Sequence, residues 1–114
     1  MTERLLRTPT LHRVVKHNGI AYIGGIVADD DSQDMAGQTR EVLAKLDTYL
    51  KEAGSNRSKL LAVTIFITDM NVKPDMDAVW KEWFAPEDLP ARATIGIADL
   101  GERALIELIA TAHY

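Results

Sequence analysis

The chain has 114 residues, 46% of them apolar and 26% charged, with a formal net charge of -4. That length predicts one domain over residues 1–114, with a single core and no room for a deep internal cavity. An acidic balance without Lys/Arg runs argues against nucleic acid as partner, and the absence of cysteine removes disulfides, thiolate metal sites and Cys nucleophiles.

The first predicted elements are two strands, His12–His17 and Ile20–Val27, joined by Asn18-Gly19. Asn-Gly between β-rich runs is a strong hairpin signal because both turn residues must accept positive φ. Gly24-Gly25, late in the second strand, predicts a bulge or a close backbone approach. Asp29-Asp30-Asp31-Ser32 follows as a polar loop that offers caps for a helix from about Gln33 to Ala53. Met35, Val42, Leu43, Leu46, Tyr49 and Leu50 fall on one face of that helix, and Gly54 ends it.

Leu60–Ile67 is short, apolar and β-branched, which predicts a strand buried on both faces. Pro74-Asp75 opens a second helix whose apolar side is Met76, Val79, Trp80 and Trp83. Two strands, Ala91–Leu100 and Ala104–Ala112, close the chain around Gly101-Glu102. The fold class is therefore α+β in the order ββαβαββ, a mixed sheet with two helices on one face. The uncovered sheet face calls for another subunit. No stretch reaches the roughly 20 apolar residues of a membrane span, and the N-terminus is too charged for a signal peptide. The expectation is a cytoplasmic protein with no membrane partner.

Arg92 and Glu107 each interrupt an apolar strand, and a buried charge needs a partner. The two residues can pair with each other across neighbouring strands, or one can point to solvent at a strand end. Alternatively Arg92 forms an anion site, since its planar fork matches a carboxylate, with Glu107 orienting water. His12, His17 and His113 form no metal signature, and Asp29-Asp30-Asp31 lacks the spacing of a cation loop.

The chain resembles the reactive intermediate deaminase family, also known as the YjgF or Rid family. Four segments carry the resemblance: Asn18–Gly25, Gln38–Leu43 with Leu50–Gly54, Asp77–Phe84, and Pro90-Ala91-Arg92-Ala93-Thr94 with Ile106–Ala110. It implies a chorismate-mutase-like fold, a homotrimer whose sheets form an inner barrel, and sites in clefts between subunits. It further implies hydrolysis of 2-imino acids or their enamine tautomers, such as 2-aminoacrylate or 2-iminobutanoate, to 2-keto acids and ammonia, with no cofactor or metal. In that scheme Arg92 anchors the substrate carboxylate and Glu107 serves the attacking water. Thr94 and Asn71 line the cleft. Leu11 stands where the family has tyrosine and Gly24 where it has serine, so polar groups on one wall are missing. The same cleft without turnover would make a binding protein for small carboxylates or keto acids. The ribonuclease activity attributed to relatives fits poorly with the acidic charge and the lack of a catalytic histidine pair.

Overall fold

The computed structural model describes residues 1–114. Six strands form one sheet: β1 (Thr2–Arg7), β2 (His12–His17), β3 (Ile20–Ile26), β4 (Leu60–Ile67), β5 (Ala91–Gly96) and β6 (Ile106–His113). Their spatial order is β1-β2-β3-β6-β4-β5. The helices are α1 (Met35–Glu52) and α2 (Lys73–Trp83). All neighbours are antiparallel except β4 and β5, which run parallel and are joined through α2. A parallel pair requires such a crossover.

The β2–β3 hairpin forms as expected, with Asn18 at φ 51° and Gly19 at φ 84°. β3 loses register between Ile23 and Ile26, so the glycine pair does sit in a bulge. The sheet contains one strand more than the sequence pattern predicts. Thr2–Arg7 pairs with β2, Leu5 opposite Val14, at an edge of the sheet. Its charges, Glu3, Arg4 and Arg7, hide its strand character in the sequence and protect the edge from further pairing. The order is thus βββαβαββ.

Other boundaries shift for local reasons. The cap of α1 is Asp34, whose carboxylate accepts the Gly37 N–H at 2.9 Å, rather than a residue of the Asp29–Ser32 loop. β5 ends at Gly96 and β6 begins at Ile106, so residues 97–105 form a loop between them.

The core lies between the two helices and one face of the sheet. Met35, Val42, Leu43, Leu46 and Leu50 of α1 and Met76, Val79 and Trp80 of α2 meet Val14, Ala21, Ile23, Val63, Ile65, Ile67, Ile106 and Leu108. β4 is buried on that face only. Ala62, Thr64 and Phe66 turn the other way and keep partial or full exposure. Beside them, Tyr22 is 51% and Ile109 38% exposed, so the chain alone leaves an apolar sheet face open. No helix is long and apolar enough to cross a membrane.

Gln38 of α1 is the one large polar side chain fully inside this core. Its Nε2 donates to the carbonyl oxygens of Gln33 at 3.0 Å, Arg103 at 3.2 Å and Asp31 at 3.3 Å. Its Oε1 accepts the Leu105 N–H at 2.8 Å. One amide therefore staples two loops to α1. Gln38→Leu should destabilise the fold by about 2 kcal/mol, because it leaves buried backbone groups without partners. Urea denaturation measures this, and a loss below a few tenths of that figure would contradict the role.

Candidate functional site

Arg92 is the second residue of β5, the edge strand opposite β1. Its register partner is Val63 of β4, which is 2% exposed and faces the helices. Paired residues on neighbouring strands share a face, so Arg92 points to the helix side. There its Nη1 lies 2.9 Å from Oδ1 of Asp77 on α2. The guanidinium carbon stands 5.0 Å from the centre of the Trp80 ring, a cation–π arrangement. Arg92 thus binds the start of β5 to α2.

The contact with Asp77 is close but poorly aligned. Asp77 Oδ1 is buried and makes no well-directed hydrogen bond, despite the 2.9 Å approach of Nη1. Asp77 gives Arg92 a counter-charge while leaving its N–H groups available to another acceptor. Two residues along the same face, the Thr94 hydroxyl is also buried without a partner. β5 therefore presents a half-buried guanidinium and an unused hydroxyl side by side.

Glu107 is elsewhere. It pairs with Phe66 of β4, three residues beyond Val63, and so faces the opposite side of the sheet. Of the alternatives open in the sequence, the pairing of Arg92 with Glu107 across neighbouring strands does not occur, because β4 runs between β5 and β6 and the two side chains face apart. Glu107 has no cationic partner in the chain. Its carboxylate instead lies over the bulge: a Cβ added at Gly25 would overlap Glu107 Oε2. This is the close approach that a glycine pair late in a strand predicts. Gly24 is different. A Cβ there would meet only the carbonyl oxygens of Arg13 at 3.7 Å and His12 at 3.9 Å, which are ordinary contacts.

The two remaining candidates lie at other ends of the fold. Leu11 closes the β1–β2 turn through its backbone and is 49% exposed. Asn71 is exposed in a short 3-10 turn, Met70–Val72, beyond the end of β4. The candidate residues therefore fall into two separate groups, Arg92 with Thr94 on the helix side of β5 and Glu107 with Gly24-Gly25 on the open side.

The sequence reading missed Asp77 and Lys73 as neighbours of Arg92. Lys73 Nζ donates to Asp77 Oδ2 at 2.7 Å, one helical turn away. The i,i+4 spacing of Lys73 and Asp77 on α2 was the available signal. Burial pushes the Asp77 carboxyl up, but the hydrogen bond from Lys73 and the contact with Arg92 outweigh it and hold Asp77 below the ordinary carboxylate range.

A shallow depression on the open sheet face is lined by Val15, Tyr22, Ala62, Thr64, Ile109 and Thr111, among others, and by neither Arg92 nor Glu107. Its lining is apolar apart from His12 and hydroxyl groups, which suits protein packing better than an anion. No three His, Asp or Glu side chains converge in a way that could hold a metal ion.

Residues 2–114 match the family described as endoribonuclease L-PSP. A RutC family protein of Haemophilus ducreyi is 34% identical over 112 residues, which is 98% of this chain and 96% of that protein. The 3-aminoacrylate deaminase RutC of Acinetobacter baylyi is 33% identical over 104 residues, 86% of this chain and 82% of the relative. The crystal structure of a YjgF family member from Neisseria meningitidis superposes with a TM-score of 0.94 at 31% identity, covering 99% of this chain and 94% of that one.

The Asp77 contacts set a pH dependence. A carboxyl depressed in the folded state adds stability above its unfolded value and loses it as pH falls toward the folded one. Asp77→Asn should therefore lower stability at neutral pH and flatten the acid limb of the stability curve. Urea midpoints at stepped pH measure both, and an unchanged acid slope would count against the ion pair.

Proposed function

The chain belongs to the YjgF/Rid family, whose matching model carries the description endoribonuclease L-PSP, and from that membership we propose that it hydrolyses 2-imino acids or their enamine tautomers to 2-keto acids and ammonia. Substrates of the size of 2-aminoacrylate or 2-iminobutanoate suit this reading. The observation that supports it best is the half-buried Arg92, whose N–H groups remain unaligned with any protein acceptor beside an unpartnered Thr94 hydroxyl. One relative is named for deamination of 3-aminoacrylate, an enamine that carries a carboxylate. The reading extends that chemistry to this chain.

Arg92 holds the substrate carboxylate in bidentate fashion. Water adds to the imine carbon: its oxygen forms the new C–O bond, the C=N π pair moves to nitrogen, which takes a proton from solvent, and Glu107 takes a proton from the water. The resulting carbinolamine accepts that proton from Glu107 on nitrogen, the C–N bond breaks as ammonia leaves with the bonding pair, and the hydroxyl loses its proton to solvent as the carbonyl forms. An imine carbon is already electrophilic, so placing the water supplies much of the acceleration. No cofactor enters this scheme.

Arg92 and Glu107 face opposite sides of one sheet, so a site that uses both takes Arg92 from one copy and Glu107 from another. This favours an assembly in which the open apolar faces pack together and each cleft lies between neighbours; the family resemblance implies that the assembly is a homotrimer. A second reading is a binding protein for small carboxylates in the same cleft. It is favoured by Gly24 and Leu11, which bring no polar group to the wall.

The test couples an amino acid oxidase, which generates imines in situ, to keto-acid detection. Arg92→Ala and Glu107→Gln should each lower kcat/KM by roughly a hundredfold or more. Mixed and refolded together, the two inactive variants should regain activity at roughly a quarter of the sites if each cleft joins two copies. No rate above buffer for the wild type, with 2-oxobutanoate still bound, would favour the second reading.

Gly25→Ala provides an independent check on Glu107. The clash falls on the far end of a flexible side chain, so Glu107 swings away at little cost in stability. Activity should fall toward that of Glu107→Gln while the thermal midpoint stays nearly constant. Full activity in Gly25→Ala would remove Glu107 from the mechanism.

A further inference from the structure

Lys73, Asp77 and Arg92 form a cation–carboxylate–cation row from α2 to β5. Lys73 Nζ is 2.7 Å from Asp77 Oδ2, and Arg92 Nη1 is 2.9 Å from Asp77 Oδ1. The three side chains are 35%, 25% and 22% exposed, so solvent screens the row only in part. Trp80 lies against the guanidinium and restricts it further. Within the row, two cations share one carboxylate, and one positive charge is in excess.

We propose that Asp77 is a positioning residue for Arg92, and that the Lys73–Asp77–Arg92 row, held by Asp77 to one positive charge in excess, favours singly charged carboxylates. This rests on the imine-deaminase reading above. A half-buried guanidinium requires a counter-charge while the cleft is empty. Asp77 supplies it and keeps Arg92 over Trp80. Asp77 alone would also neutralise Arg92 and weaken its pull on a ligand. Lys73 offsets the Asp77 charge, so the charge of Arg92 remains available. One monocarboxylate then brings the four groups to neutrality. A dicarboxylate leaves one negative charge in excess. The substrate class is accordingly imino acids with uncharged side chains, and those derived from acidic amino acids are disfavoured.

The experiment measures binding of 2-oxobutanoate and 2-oxoglutarate by calorimetry at low salt, together with kcat on 2-iminobutanoate. The wild type should prefer 2-oxobutanoate. Asp77→Asn adds one positive charge to the row, so affinity for 2-oxobutanoate should rise about threefold and for 2-oxoglutarate about tenfold, both gains fading with added salt. In the same variant kcat should fall about tenfold, because Arg92 loses its fixed orientation. Lys73→Gln, which does not touch Arg92, should weaken 2-oxobutanoate binding by roughly threefold and leave Asp77 in place.

Tighter binding with slower turnover is a split that mere structural damage does not produce. An active wild type beside an Asp77→Asn variant with unchanged kcat and no gain for 2-oxoglutarate would overturn this proposal alone. If Asp77→Asn does not fold, unchanged binding in Lys73→Gln overturns it. A wild type that neither turns over imine nor binds either acid overturns the deaminase reading and this proposal with it.

Discussion

A β-strand alternates its side chains between two faces, and in this chain that alternation decides which side of the sheet each charged side chain takes. β4 sets the pattern. Val63, Ile65 and Ile67 enter the core, while Ala62, Thr64 and Phe66 turn to the open face. Through the register, Val63 places Arg92 with the helices and Phe66 places Glu107 on the far side. Both helices pack on one face of the six-stranded sheet. The apolar face left open and the separation of Arg92 from Glu107 have this same origin.

The second constraint is electrostatic. A guanidinium at a sheet edge, largely withdrawn from water, must have an anion nearby. Asp77 serves, but at an angle that leaves its own Oδ1 without a directed hydrogen bond. A fully aligned pair would engage the Arg92 fork and leave less for a ligand. The misalignment is thus consistent with a residue stabilised in the fold yet still competent to bind. Arg57 shows the contrast. It makes two aligned bonds to Asp47, at 3.1 and 2.9 Å, and a third to the Trp83 carbonyl oxygen at 2.6 Å. That guanidinium is committed to holding α1 against the end of α2.

Much of this was legible in the sequence. Asn18-Gly19 specified a hairpin through backbone conformation alone, and the apolar spacing of α1 specified its buried face. Gly24-Gly25 announced a close approach without naming the group that approaches, because Glu107 lies 82 positions along the chain from Gly25. β1 was not legible, since its strand character comes from pairing with β2 rather than from its own residues. The burial of β4 was read as two-sided because local composition cannot distinguish a face covered by this chain's helices from a face left open. Asp77 was hidden for a related reason. Its importance arises from a strand that follows it, across a crossover whose geometry no local pattern describes.

Gln38 has a consequence for how the chain can vary in length. It grips the Arg103 carbonyl oxygen and the Leu105 N–H, just before β6 begins at Ile106. A one-residue slip in a strand exchanges its two faces. Here such a slip would carry Glu107 into the core and Ile106 out of it. The staple divides the preceding segment into two regimes. Residues near Asp99–Glu102 can be inserted or deleted, because the exposed tip absorbs the change before Gln38 resets the path. Between Leu105 and Glu107 the count is fixed, and a single added residue there would invert the strand that carries the acid.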